Sequence, residues 1–504
     1  MGPVGATTAL LLARLGVETL VIERRRRLEP LTRAVTVDDE ALRVLQAAGL
    51  GGDLPTPPML TDEPIRFRSR TGALLLELPT QVSANGHPTV AFLHQSELEA
   101  ALREGLSRRS DAVTVELGCE AVGLRQHARG VALRIRASGG SELREIEADY
   151  VLACDGAHST VREAVGIPLR GFTSRRRWLA IDAAGGGTRA GERGFEFLCD
   201  PRRPAANGPL PGGRHRFEFM LRRGERDDGD AVKRLLAPWG PVEVIRSASY
   251  PQHAHVASRW GAGRVLLLGD AAHLSPTFAG QGLSAGLRDA GNLSWKLASM
   301  LRGRASPALL RTYEAERRPH ALRMVAVAVA LGRAVEARGT AAASIRDRGV
   351  ASLLRSRAVS AWAVGGGWKP ASIYRRGLGP EPSRGASGAL LRQSLVSRPG
   401  GRPMPLDDAL GAGFALIGYG VDPELGLDAG ARALLLELDA RLVCVNGASA
   451  TAPGTVDLHS RDDHGRPGQI ALVRPDRHVF DTFTPAESGD AVRELVAALR
   501  SPPL

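Results

Sequence analysis

The chain has 504 residues, enough for three or four domains at the usual 100 to 200 residues each. Hydrophobic residues make up 43% and charged residues 24%, which excludes a disordered chain, a fibre and a membrane-embedded protein as overall descriptions. The net charge of +12 would suit nucleic acid, but lysine occurs only at Lys233, Lys296 and Lys369, so arginine supplies 63 of the 66 basic residues. The runs Arg24 to Arg27 and Arg175 to Arg177 carry no interleaved aromatics for base stacking. The bias reads as that of a GC-rich coding sequence, and no nucleic acid partner is expected; an acidic small-molecule substrate remains compatible. No 18-residue apolar run and no signal-peptide order are present, so a cytoplasmic protein without membrane contact is expected. Cys119, Cys154, Cys199 and Cys444 form no CxxC pair, which gives neither a disulfide framework nor a metal site.

The chain opens on Gly2-Pro3-Val4-Gly5, an apolar run from Ala9 to Ala13, Gly16, and the stretch Glu18 to Ile22 ending at Glu23. That order reads as turn, helix, helix stop and strand. In a dinucleotide-binding βαβ unit, glycines admit the pyrophosphate to a helix N-terminus, and an acidic residue closing the second strand accepts ribose hydroxyls. Gly5 and Glu23 have that spacing. The first glycine of a full Gly-x-Gly-x-x-Gly, and the strand before it, would lie upstream of Gly2. A central strand is buried on both faces, so the 504-residue form is expected to be poorly soluble or to hold a dinucleotide weakly. A form extended upstream in frame should recover it.

Helices follow over 38–50 and 95–102, and strands near 112–117, 131–136 and 144–152, the last running into Cys154-Asp155-Gly156. Strand-like pieces over 167–256, separated by the Gly/Pro-rich loop 201–213, predict an antiparallel layer inserted in the α/β unit, which would carry the substrate. A buried strand at 264–268, then Gly269-Asp270, a glycine-rich loop and a helix over 284–302 return the chain to α/β, and helices fill 307–360. Residues 364–402 read as a linker. The tail from 403 has strands near 414–417, 441–445 and 469–473 and a final helix near 491–499. The expected fold class is therefore α/β (α+β), divided into 1–166, 167–256, 257–363, 364–402 and 403–504.

Three separated motifs make a specific ordered set: Gly2-Pro3-Val4-Gly5 with Glu23, Asp155-Gly156-Ala157-His158-Ser159-Thr160-Val161-Arg162, and Gly269-Asp270-Ala271-Ala272-His273-Leu274-Ser275-Pro276. Together they resemble the single-component FAD-dependent aromatic hydroxylases, the p-hydroxybenzoate hydroxylase-like flavoprotein monooxygenases, over residues 1–330. The tail resembles the thioredoxin-like C-terminal domain of the phenol hydroxylase branch. The segments Arg33 to Arg43, Arg216 to Met220 and Arg474 to Arg477 resemble the branch acting on hydroxyphenylpropionates. The resemblance implies a Rossmann-like FAD domain with an inserted substrate sheet. FAD would be the bound cofactor, NADH or NADPH a transient cosubstrate, and O2 the oxidant of a small phenolic substrate.

It also implies site residues. Gly2 and Gly5 would leave room for the pyrophosphate, and Glu23 would hold the adenosine ribose. Arg33 and Gln95 would reach the ribose, pyrophosphate or ribityl oxygens, for which a guanidinium and an amide are suited. Asp155 belongs to the second FAD fingerprint, and Asp270, beside Gly269, would accept a ribityl hydroxyl. In the loop from Pro276 through Gly280, Gly282, Leu283 and Ser284, backbone N–H groups would face the flavin pyrimidine edge, with a helix starting behind them. The positive end of that helix stabilises charge on the reduced ring. Relatives usually carry Asn at the position of Ser284, which can still cap the helix. Arg216 is the expected clamp for a substrate carboxylate. No catalytic side chain is singled out, and His158 and His273 are read as structural. The tail is expected to pack on the body or to mediate homodimer contacts. Two other readings share part of the pattern: a tailoring hydroxylase of a polycyclic aromatic or polyketide, and a noncatalytic FAD-binding or interaction protein.

Overall fold

The computed structural model describes residues 1–27, 34–185, 194–379, 386–447, 456–460 and 465–502; Arg33 lies outside them. Gly2, extended, precedes helix α1 (Pro3–Arg14), where Pro3 occupies the first turn and needs no N–H partner. Strand β1 (Thr19–Glu23) follows, then β2 (Thr36–Asp38) and helix α2 (Asp39–Ala47). The Asp38 carboxylate accepts the Ala41 N–H at 3.0 Å and caps α2. The helix expected to Leu50 stops earlier, since Gly49 takes a φ of +114°.

Next come β3 (Ile65–Ser69), β4 (Leu74–Leu78), α3 (Gln95–Ser107) and β5 (Val113–Leu117). The strand expected over 144–152 is two pieces. Leu143–Ala148 pairs antiparallel with Val131–Ala137, whereas β6 (Val151–Ala153) joins a different sheet. The chain changes sheets at Asp149-Tyr150, which a hydrophobic pattern cannot register. The inserted layer follows as β7 (Leu169–Ala184), β8 (Phe195–Cys199), β9 (Ala205–Leu210), β10 (Arg214–Met220) and β11 (Glu243–Ala257). Then β12 (Val265–Leu267) leads through residues 268–281, which include the short strand His273–Leu274, to helices α4 (Gly282–Leu301) and α5 (Arg311–Val335).

Two parallel pairs frame α1: β1 with β5, and β6 with β12. The inserted sheet has eight strands in the order His273–Leu274, β11, β7, β10, β9, β8, β3, β4. It thus takes two strands from residues 65–78 as well as those from 167–256. The core between helices and sheets contains Leu10, Leu45, Leu98, Leu102 and Leu287 on one side, and Trp260, Val265, Leu267, Leu293 and Tyr313 on the other.

The tail has its own sheet. Strands β13 (Ala415–Tyr419) and β14 (Arg441–Val445) run parallel around helix α6 (Ala429–Glu437). The antiparallel pair β15 (Ile470–Val473) and β16 (Val479–Phe483) adds on the other side of β13, followed by helix α7 (Ser488–Arg500). This βαβ unit joined to a ββα unit is the thioredoxin-like arrangement. Buried ion pairs bind the tail to the body: Arg43 to Asp407 at 2.7 Å, and Arg474 to Glu316 at 2.8 Å.

Candidate functional site

One continuous cavity of about 2330 Å3 runs from the N-terminus of α1 to the inserted sheet. That exceeds the several hundred Å3 usual for one drug-sized ligand and leaves room for two. Gly2 and Gly5 line its first lobe, together with Glu23 at the end of β1 and the side chains of Arg24, Arg25, Arg27 and Arg103. A Cβ on Gly2 would meet nothing within 4 Å, so the approach to the first N–H groups of α1 is open. The Glu23 carboxylate takes the Met1 amino group and the Arg25 N–H. Burial alone would raise its pKa, but these donors hold it below the usual carboxylate value.

Gln95, Asp155 and Asp270 line the middle of the cavity. The Gln95 Oε1 accepts the Ala34 N–H at 2.9 Å, and its Nε2 donates to Glu99 at 2.8 Å. One oxygen of Asp155 accepts the Val161 N–H at 3.0 Å. Asp270 sits in the turn directly after β12. Gly280, Gly282 and Leu283 line the next portion, at the start of α4. That helix has no side-chain cap and no acidic residue in its first turn, so its leading N–H groups are not taken by a capping side chain. Gly280 has φ +62°, and a Cβ there would lie 2.5 Å from Thr36 Oγ1; a side chain would strain the backbone and collide with β2.

Three of the expected contacts are not on the cavity wall. Gly269, with φ +57°, lets the loop lie against Val4, whose Cγ2 would be 3.2 Å from a Cβ. Pro276 precedes the lining residue Thr277. Ser284 does not cap α4: it lies within the first turn, fully buried, and its Oγ accepts the Asp38 N–H at 3.1 Å. It therefore ties α4 to α2. His273 is buried off the cavity wall, with Nε2 2.7 Å from Asp289 and its ring stacked on Trp260.

The last lobe lies on the inserted sheet, where strand register orders the side chains in rungs. Asp182 on β7 is level with Arg216 on β10 and Arg246 on β11; Ala180 is level with Glu218 and Ala248; Trp178 is level with Met220 and Tyr250. Arg216 is only 1% exposed, with Nε 2.5 Å from Asp182, Nη2 3.1 Å from Asp182, and Nη1 3.1 Å from Glu218. Its charge is thus committed to two carboxylates, which corrects the expectation of an available clamp. Arg246 stands at the edge of the same rung, 17% exposed in its side chain, with Nη1 3.7 Å from Asp182. Ala180 and Ala248 leave a ring-sized bay. Farther along the Ala180 rung, Phe197 and Phe67 stack at 5.0 Å, with Phe195 edge-on to Phe197 at 5.6 Å, and all three line the cavity.

Sequence reasoning passed over Glu218, Arg246, Tyr250 and Gln252. The signal was available in the alternation Arg246, Ala248, Tyr250, Gln252, which puts all four on one face of a strand. What it could not supply was which face meets the cavity.

The donor set fits a dinucleotide: free helix N-termini and arginines for an anion, carboxylates for sugar hydroxyls, and a second helix start beyond them. The comparisons agree. Residues 1–328 match the FAD binding domain family, and residues 388–498 match the HcaD C-terminal domain. A 3-(3-hydroxy-phenyl)propionate/3-hydroxycinnamic acid hydroxylase of Burkholderia vietnamiensis is 36% identical, covering 95% of this chain and 91% of its own. The enzyme of the same name from Klebsiella pneumoniae is 33% identical over 97% and 91%. Among solved structures, aklavinone-11 hydroxylase with FAD and aklavinone aligns at TM-score 0.77 and 25% identity, covering 98% of this chain and 97% of that one. The flavin-dependent monooxygenase PieE shares the fold at TM-score 0.80 and 21% identity, covering 100% and 98%. The chain belongs to the FAD-binding domain family, as an FAD-dependent aromatic hydroxylase. No helix among the described residues is long and apolar enough to cross a membrane.

Proposed function

We propose that this protein hydroxylates a small phenol with a carboxylated side chain, of the 3-(3-hydroxyphenyl)propionate or 3-hydroxycinnamate type, with O2 and NADH or NADPH as cosubstrates. The observation that carries the reading is the two-sided lobe on the inserted sheet: a phenylalanine wall for a ring, and a charged rung beside it for an anion. The names of the relatives at 33 to 36% identity support the same substrate class.

When bound, FAD supplies the reduction by nicotinamide and the oxygen chemistry; the chain binds, orients and excludes water. In this reading, Gly2, Gly5 and the start of α1 receive the pyrophosphate, with Glu23 at the ribose end and Gln95 beyond it. Asp155 and Asp270 accept hydroxyls in the middle, and the N–H groups from Gly280 to Leu283 meet the flavin ring. Arg33 belongs to the same expectation. Arg246 receives the substrate carboxylate, while Asp182, itself paired with Arg216, holds its guanidinium from behind. Tyr250, whose hydroxyl donates to Glu218 at 2.8 Å, stands at the far end of the bay.

A second reading, hydroxylation of a polycyclic aromatic, is favoured by the full-length likeness to aklavinone-11 hydroxylase and by the cavity volume. Oxygen uptake with FAD and NADH decides between them. Uptake stimulated by small carboxylated phenols, with a product 16 mass units heavier, is expected from replacing C–H by C–OH. Stimulation by anthraquinone-type polycycles alone would replace the first reading with the second. Size-exclusion chromatography with light scattering tests the homodimer expected from the family resemblance.

A further inference from the structure

Gln252 is 5% exposed and lies on the cavity face of β11, two residues beyond Tyr250. Its amide makes two reciprocal hydrogen bonds with one residue of the loop before α4. Nε2 donates to Thr277 Oγ1 at 2.9 Å, and Oε1 accepts the Thr277 N–H at 2.9 Å. The Tyr250 hydroxyl also meets the Thr277 side chain. A planar amide with one donor and one acceptor matches a backbone N–H beside a hydroxyl, and no apolar side chain of the same size can replace it.

The rest of the loop is seated by packing. Phe278 meets Trp178 edge to face at 5.4 Å and lies against Gly332. Thr36 Oγ1 donates to the Gly280 carbonyl at 3.4 Å. Packing fixes where the loop rests, but the two-bond grip of the Gln252 amide fixes both the backbone and the side chain of Thr277 against the strand that also carries Arg246, Ala248 and Tyr250. The six residue steps from Arg246 to Gln252 span roughly 20 Å of extended chain, the distance from the charged rung to the loop.

We propose that Gln252 is a positioning residue, locking the Thr277–Leu283 loop to the substrate strand so that the N–H groups at the start of α4 and an aromatic ring on the sheet keep one fixed separation. The proposal rests on the functional reading above. In a hydroxylase the consequence is coupling: when the separation loosens, nicotinamide oxidation continues while oxygen leaves as hydrogen peroxide instead of entering the ring.

The test uses FAD-loaded Gln252→Leu, Gln252→Met and Gln252→Glu proteins, each normalised to bound flavin. The ratio of hydrogen peroxide to hydroxylated product should rise at least about fivefold in the Leu and Met variants, with nicotinamide oxidation retained. The Glu variant keeps acceptors for both the Thr277 N–H and its hydroxyl proton, and should return most of the coupling. The visible flavin band should shift in Leu and Met and return toward wild type in Glu. A merely structural role would reduce the yield of loaded protein and leave ratio and band unchanged; that result overturns the proposal. The Met variant keeps the stem's packing and decides if Leu does not fold: wild-type coupling there overturns the proposal, and a raised ratio of peroxide to product supports it. If the wild type hydroxylates no phenol, the functional reading fails, and the flavin band alone decides, an unshifted band overturning the proposal.

Discussion

Helix α4 meets charge in opposite ways along its length. At its start, Gly282 and Leu283 face a large cavity, with no side-chain cap and no acidic neighbour in the first turn. Further along, Lys296 and Asn292 are buried in a cluster closed by residues of the same chain. Lys296 Nζ is 2.6 Å from Glu316, Arg474 Nη2 is 2.8 Å from Glu316 and 2.6 Å from Asp476, and Asn292 donates to Glu316 at 2.7 Å. Backbone donors left open toward a cavity are a place for a ligand. Buried charges that answer one another are a joint, here between the body and the tail, and breaking one is costly because its partners cannot return to water.

The joint should give the largest effect. Replacing Glu316 by Ala leaves Lys296 and Arg474 facing each other, and the expected loss is about 3–5 kcal/mol, read by denaturant unfolding. A loss below 1 kcal/mol would mean that the two units are held by apolar packing and the Arg43–Asp407 pair rather than by this cluster.

The same residue gives the joint a pH dependence. Burial by itself would raise the Glu316 carboxyl, but Arg474 and Lys296 pull it down to about 2 from an ordinary 4.5. A carboxyl depressed on folding stabilises fully above pH 4.5 and loses that stability as pH falls toward 2, by about 3 kcal/mol in all. Glu316→Gln should flatten the acid limb of a stability–pH curve; an unchanged limb would assign it to other carboxylates.

At the open end, Asp270→Ala should weaken FAD by the roughly 1.5–3 kcal/mol of a charge-assisted hydrogen bond, a ten- to hundredfold rise in Kd by flavin fluorescence. Unchanged affinity would remove Asp270 from the site. Gly280→Ala imposes a left-handed alanine and a contact with Thr36, about 1–2 kcal/mol, expected to appear in FAD retention more than in unfolding. The smallest effect belongs to the tail's interior. Cys444 is buried and bonds through sulfur to the Val421 carbonyl at 3.3 Å, so Cys444→Ser should leave turnover per bound flavin unchanged. A large fall would give the tail a part in the reaction.

The local elements were legible because each has a local cause. Helix α1 follows from a proline-led apolar run, α2 from the Asp38 cap, and the turn at Gly280 from a glycine that tolerates positive φ. The inserted sheet was legible as alternating strands, but the place in it of the β3–β4 hairpin at 65–78 was not, since β3 joins the sheet through β8, about 130 residues away. Ser284 shows the same limit from the other side. Its hydroxyl suits a cap by residue type, yet its partner is the Asp38 N–H, 246 positions away.

Arg216 marks the division most clearly. The sequence by itself determined that a guanidinium stands on a sheet strand within a flavoprotein pattern, and that the three FAD motifs occur in order, because chemistry and spacing along the chain are local properties. Tertiary structure alone decided that Asp182 and Glu218 consume that charge, that Arg246 stands at the edge of the rung, and that Gln252 reaches Thr277. Strand register fixes which side chains share a rung, and register is set by pairing between distant segments. The partners that neutralise a charge, or leave it to a ligand, are therefore written in the fold and not in the neighbourhood of the residue.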